Sequence, residues 1–213
     1  MKNKKEKIKY TNEEQDLLNH AISKVKKIFE DYSDPAHGID HIERVASAVN
    51  KIISQEGANK PFLCELSAWF HDIGRTLEDN PGETSRKHHE LSYELLNKWF
   101  EDDSSFDILS KEEKKELLYA VRYHWNDAAD KYDTAWILRD ADKLDLFGDV
   151  GLERVWKLFK DNDNAWDQHL RNVFSCYYFL RTKTARQIAD KLMPETEKRL
   201  NKYLKSKIDK VNL

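Results

Sequence analysis

The chain has few of the residues that punctuate a backbone. Six glycines and four prolines in 213 residues are too few for a many-turned β fold, whose turns draw on glycine's freedom at positive φ and proline's fixed φ. Cysteine is equally scarce. Cys64 and Cys176 both lie in apolar surroundings and lack the paired spacing of a zinc site. Two such residues exclude a disulfide scaffold, and buried free thiols in a reducing cytoplasm are expected. No segment approaches the ~18 apolar residues of a membrane span. Neither sign of charge dominates: 36 basic against 39 acidic side chains leave a net charge of −3, so there is no general attraction for nucleic acid. Residues 1–7 are basic but lack the apolar stretch of a signal peptide, so a solvated terminus is expected. There is no glycine-rich phosphate loop, no Gly-x-Ser-x-Gly, and no cysteine with a convincing histidine partner.

Helical periodicity is what the chain does have. Hydrophobic residues make up 39%, including six Trp, nine Tyr and nine Phe, enough to bury a sizeable core in one domain. Thr11 with Glu14 forms a capping box ahead of a helix to about Asp31. Leu17, Leu18, Ala21, Val25 and Phe29 repeat along it at helical spacing. Asp40 is placed to cap a second helix, closed by Gly57. Pro61 suits the first turn of a third, which ends near His71 and Asp72 with Gly74 just beyond. The polar stretch 78–83 is the strongest loop signal and long enough to act as a lid. Thr84 then opens a helix through Phe100. Ser110 and Glu113 form a second capping box before a helix to His124, and Thr134 to Phe147 forms another, ended by Gly148. Two or three helices complete the chain, with Pro194 opening the last. No strand survives this reading, so an all-α, single-domain bundle over 1–213 is expected. The aromatics of 156–179 read as core or a dimer face, and the basic tail 198–207 as a solvated helix face.

Chemistry concentrates in one adjacent pair, His71 and Asp72, at the end of the apolar run 63–70. Neither side chain is cheap to bury unpaired, and both are good ligands for a divalent cation. Neighbouring residues on a helix point about 100° apart, so both face one ion only if the helix ends there or the ion sits at its tip. His41 upstream and Asp142 downstream lie on the polar shoulders of their own apolar stripes. Any one of the four alone is ordinarily a capped or solvated side chain. Together they make a mixed imidazole and carboxylate set that suits Mn²⁺, Fe²⁺, Zn²⁺ or Mg²⁺.

Asp40-His41-Ile42-Glu43-Arg44-Val45, Trp69-Phe70-His71-Asp72-Ile73-Gly74-Arg75 and Arg139-Asp140-Ala141-Asp142-Lys143-Leu144-Asp145 in this order resemble the motifs of the HD superfamily of metal-dependent phosphohydrolases. The resemblance spans roughly 37–151, leaving 152–213 to complete the bundle. It implies that His41, His71, Asp72 and Asp142 hold one divalent ion and that Asp140 does not. It further implies a catalytic role for Asp72, beyond ligation, in orienting the nucleophile. Arg44 and Lys143 are expected to neutralise phosphoryl charge, and Arg75, His89, His124 and His37 to contact substrate. His88 is the likelier of the two adjacent histidines to be plain surface. In two-metal members, histidines between the HD pair and the last aspartate bind a second ion. There is no Gly-Tyr-Pro after His124 and no acidic pair after Asp72, so the small bacterial hydrolases of nucleotides or related phosphate esters are the best match. A cyclic-nucleotide-type phosphodiesterase, a di-iron oxygenase of the same fold, or a non-catalytic metal-binding regulatory module are the alternatives. The expected setting is cytoplasmic, with a small phosphorylated partner, no membrane, and room for a homodimer.

Overall fold

A computed structural model describes residues 8–34, 36–78, 87–159 and 162–211. Its described residues are all-α, with no strand. Capping fixes where the early helices begin. α1 (Asn12–Phe29) starts on the Thr11–Glu14 capping box, and α5 (Lys111–Tyr123) on the Ser110–Glu113 box. In each the hydroxyl takes the N3 amide and the glutamate returns to the cap amide. α2 (Ile39–Glu56) has Gly38, not Asp40, at its N-cap. Asp40 sits inside the first turn, where its carboxylate meets Arg44 one turn on, at 2.8 Å. Gly57 closes α2 at φ +77, a backbone state that only glycine enters without strain. α3 (Pro61–Phe70) begins on its proline and is almost wholly buried.

α4 (His88–Asp102) starts four residues later than the Thr84 expectation; the expected start and most of the proposed lid, 79–86, lie outside the described residues. α6 (Asp133–Leu144), α7 (Gly148–Phe159) and α8 (Asp163–Phe179) follow. α9 (Lys183–Val211) carries Pro194 inside it, not at its start. Thr182 caps its start, its Oγ1 accepting the Ala185 amide at 3.2 Å, and buried Asp140 of α6 accepts the amides of Arg181 and Thr182 just before it, at 3.0 and 2.6 Å. A carboxylate at a helix N-terminus satisfies free amides and suits the helix dipole.

One apolar core runs through the bundle, from Leu17 and Val25 of α1, through Ile42, Val49, Leu66, Phe70 and Leu138, to Leu170 and Ala189 of the last helices. α3 lies inside, flanked by α1, α2, α5 and α6. The His71–Asp72 pair therefore emerges in the middle of the fold. Among the described residues no helix is long and apolar enough to cross a membrane.

Candidate metal centre

The end of α3 makes the centre. The helix stops at Phe70. His71 keeps helical dihedrals, and Asp72 turns out of the helix at φ −114, ψ 13. That break lets two adjacent side chains converge where a continuous helix would splay them. A 3-10 turn over Ile73–Leu77 follows, and α4 packs directly on it. Gly74 permits this contact, because a Cβ there would lie 2.3 Å from the His88 carbonyl oxygen and 2.3 Å from the Ser92 amide nitrogen.

His41 from α2, His71 and Asp72 from the end of α3, and Asp142 from α6 meet in one place. His41 Nε2 lies 3.2 Å from His71 Nε2, 3.4 Å from Asp142 Oδ1 and 3.7 Å from Asp72 Oδ2; His71 Nε2 lies 3.8 Å from the same Asp72 oxygen. Ligand atoms that share an ion at about 2.1 Å sit about 3 to 3.5 Å from one another. Protonation supports the fit. His71 Nδ1 lies 2.8 Å from the Ala68 carbonyl oxygen, which only accepts, so the proton belongs on Nδ1. His41 Nδ1 lies 2.6 Å from Asp145 Oδ2 and by the same reasoning donates to it. Burial pushes the His41 pKa below its ordinary value despite that carboxylate, so the ring is neutral. The two Nε2 atoms face each other across 3.2 Å with each Nδ1 held by an acceptor, the orientation of a pair of imidazole ligands to one cation. Asp142 is the most open of the four, with a side chain 32% exposed.

Asp72 also looks the other way. Its Oδ1 lies 3.5 Å from His88 Nε2 and 3.7 Å from His124 Nε2, and those two nitrogens are 3.4 Å apart. Oδ1 is buried and has no hydrogen-bond partner. His124 Nδ1 donates to the Val121 carbonyl at 2.7 Å, so its Nε2 also presents a lone pair. Burial holds His124 down at about 4 and His88 at about 2. Among the described residues, His41–His71–Asp142 and Asp72–His88–His124 each have the makings of a cation site, with Asp72 turning one oxygen to each.

The remaining expected residues divide. Arg75 stands at the centre, its Nε 3.3 Å from Asp72 Oδ2 and its Nη2 3.5 Å from His88 Nε2. Burial pushes the Asp72 carboxyl up, but Arg75 beside it prevails and holds it well below the usual carboxylate range. Arg44 is elsewhere: it grips Asp145 through Nε and Nη2, at 2.6 and 3.1 Å, and Asp40 through Nη1. Asp145 lies on the Nδ1 side of His41, so the structure places Arg44 behind the imidazole, away from the ligand cluster. Lys143 pairs with Asp127 and lies 5.4 Å from the Phe179 ring, so its charge is taken up outside the cluster. His37 faces Asp34 at 3.3 Å, with its ring 6.0 Å from that of His41. Of the adjacent histidines, His88 joins the cluster, while His89 lies against Trp125 with ring centres 5.3 Å apart and the planes tilted. Asp145 and Arg154 were not among the expected residues. Arg154 is buried and bonds the Asp145 carbonyl oxygen and carboxylate at 3.0 and 3.1 Å. The signal for Asp145 was its spacing, three residues past Asp142 on the same helix face.

Comparison with known proteins agrees with this architecture. The family model described as HD domain matches residues 38–146, just over half of the chain. No curated protein matches. A predicted HD superfamily hydrolase from an uncultured Thermotogales bacterium is similar at 26% identity and a TM-score of 0.65, over 89% of this chain and 92% of that one. Bacillus subtilis YpgQ, solved in complex with ADP, superposes with a TM-score of 0.69 at 19% identity, over 91% and 96% of the two chains. An HD-superfamily hydrolase from Bacillus thuringiensis gives 0.66 at 21%, over 91% and 97%; at these identities the last two show the fold alone. With the all-α fold of the HD superfamily hydrolases and two clusters suited to the divalent metals that HD domains bind, the chain belongs to the HD-domain family.

Proposed function

We propose that the chain is a metal-dependent phosphohydrolase that cleaves a phosphate ester or anhydride of a nucleotide or similar small molecule. One observation carries the reading: the Nε2 atoms of His41 and His71 stand 3.2 Å apart beside two carboxylates, while the Nδ1 atom of each ring is held by an acceptor behind it. His41, His71, Asp72 and Asp142 would hold the ion. When bound, a divalent ion supplies Lewis acidity, polarising a phosphoryl oxygen and acidifying a water toward neutrality. The chain supplies the rest. Asp72 is positioned to orient the nucleophile. Arg75 sets a guanidinium beside it, where phosphoryl charge gathers during transfer. Asp142, the ligand open to solvent, marks the side from which substrate arrives. The ADP bound by YpgQ supports a nucleotide as the substrate class.

The orphaned Asp72 Oδ1 favours a two-ion form of the same reading, with Asp72, His88 and His124 holding the second ion. That form also keeps in view the phosphodiesterase and di-iron alternatives. Metal content by mass spectrometry and turnover of a nucleotide panel with added Mn²⁺ test both points. Two ions per chain are expected in the wild type, one in His88→Ala, and little metal in His71→Ala. Equal metal in wild type and His71→Ala would end the proposal, and one ion in the wild type would end its two-ion form. Silence across the panel with metal bound would favour a regulatory module.

A further inference from the structure

The rings of the centre do not stop at the ligands. His41 and His71 have centroids 5.2 Å apart, His71 and His124 5.3 Å, His124 and His88 5.4 Å, His88 and His89 5.3 Å, and His89 and Trp125 5.3 Å. A file of six rings thus leads from the buried His41 to Trp125, which is 56% exposed. Trp125 rests one face on His89, tilted by 34°, and turns the rest to solvent. An indole in this position is expensive to leave bare: it is the largest apolar side chain, yet here it is spent on the surface. Its support is polar and only partly satisfied, since His89 Nδ1 is buried without a hydrogen-bond partner.

We propose that Trp125, backed by His89, is the stacking platform for the base of a nucleotide whose phosphates lie at Arg75 and Asp72. This rests on the phosphohydrolase reading and narrows it to substrates that carry a planar aromatic base. His88 and Trp125 are joined through His89, with ring centres 5.3 Å apart at each step, so the indole stands next to the cluster. Stacking tolerates any base, because every base has a π face. The platform therefore adds affinity without choosing among bases, and Trp125 acts on binding without touching the reacting atoms.

The test uses the Mn²⁺-loaded protein and two probes, ATP and inorganic tripolyphosphate, which share the polyphosphate and differ in the base. Trp125→Ala should raise KM for ATP roughly ten- to a hundredfold, leave kcat near wild type, and leave tripolyphosphate kinetics unchanged. Trp125→Phe should recover most of the loss. Calorimetric titration with ADP and with pyrophosphate reads the same contact without turnover. ADP should bind at least about tenfold more tightly than pyrophosphate in the wild type, and that margin should vanish in Trp125→Ala. An equal margin in both proteins, binding of neither ligand, or a KM for ATP that Trp125→Ala leaves unchanged overturns the platform. A change of oligomeric state in Trp125→Ala with unchanged nucleotide binding does so too, and identifies the indole as a contact between copies. A margin that behaves as expected without turnover leaves the platform standing and removes the hydrolase reading.

Discussion

Asp145 is the residue whose loss should say most about how the centre is held. One carboxylate, 9% exposed, serves three partners: His41 Nδ1 at 2.6 Å, Arg44 Nε at 2.6 Å and Arg154 Nη2 at 3.1 Å. Burial pushes its carboxyl up, yet the bonds from His41 and Arg44 prevail and hold it at about 2, so it is charged at any working pH. Asp145→Asn keeps the volume and removes the charge. If the new amide turns its NH₂ toward His41, the imidazole proton must move to Nε2, and the lone pair that faces His71 is gone. Loss of such an outer partner typically costs about 10- to 100-fold in metal affinity, or roughly 1.4 to 2.7 kcal/mol. The fold pays as well. Arg44 is partly open to water and loses little, but Arg154 is buried, and an uncompensated buried charge costs about 3 kcal/mol or more. For a chain of this size that corresponds to a fall in Tm of roughly 6–12 °C. Mn²⁺ titration of EDTA-treated protein and a thermal melt measure the two effects. Asp40→Asn is the control, since Asp40 meets only the outer edge of the same Arg44 with a side chain 69% exposed, and it should change neither by much. A variant that binds Mn²⁺ within about twofold of wild type and melts at the wild-type temperature would show that nothing behind His41 orders it.

Three further outcomes are expected. Gly74→Ala drives a Cβ into the backbone of His88, Leu91 and Ser92, so it should cost about 3 kcal/mol or more and displace His88 from Asp72, seen as a lower melting temperature and a lower metal content together. Burial pushes Asp34 up, but His37 and the amides of Ala36 and His37 hold it at about 2, below its ordinary 3.8. A carboxyl depressed in the folded state stabilises above its unfolded pKa and loses that contribution as pH falls, so the wild type should lose up to about 2 kcal/mol between pH 4 and 2 that Asp34→Asn does not lose, read by urea unfolding across that range. Cys64 is fully buried and its thiol is pushed up to about 12, so a thiol reagent should label at most Cys176 in the native protein and both cysteines once it is unfolded.

The parts of the structure that were legible beforehand are those set by local chemistry. Thr11–Glu14 and Ser110–Glu113 mark helix starts because hydroxyl and carboxylate satisfy free amides within four residues. The α3 stop at Asp72 was legible from Gly74 just beyond the apolar run that ends at Phe70. Where the decisive contact comes from far along the chain, local reading goes astray. Pro194 looks like a first-turn proline, yet α9 already begins at Lys183, where the Thr182 hydroxyl takes the Ala185 amide and Asp140 anchors the two amides just before. No window around residue 183 contains that carboxylate. Asp40 has the composition of a cap, but its partner is Arg44, and Gly38 takes the cap position.

The choice between His88 and His89 shows the same limit inside the site itself. The two are adjacent and chemically identical, and on a helix they diverge by about 100°, so only one can join Asp72. What selects His88 is how α4 lands on the 3-10 turn, and that landing is set by the missing side chain of Gly74. His41 is governed in the same way from both sides. Asp142 and Asp145 leave the end of α6 three residues apart, one reaching Nε2 and the other Nδ1 of a single imidazole. Their spacing tells that the two carboxylates share a face. That a histidine from α2 stands between them depends on how α2 and α6 pack, and packing is a property of whole helical surfaces. The candidate ligands can thus be picked out by their motifs, while the groups that order them become visible only once the helices are assembled.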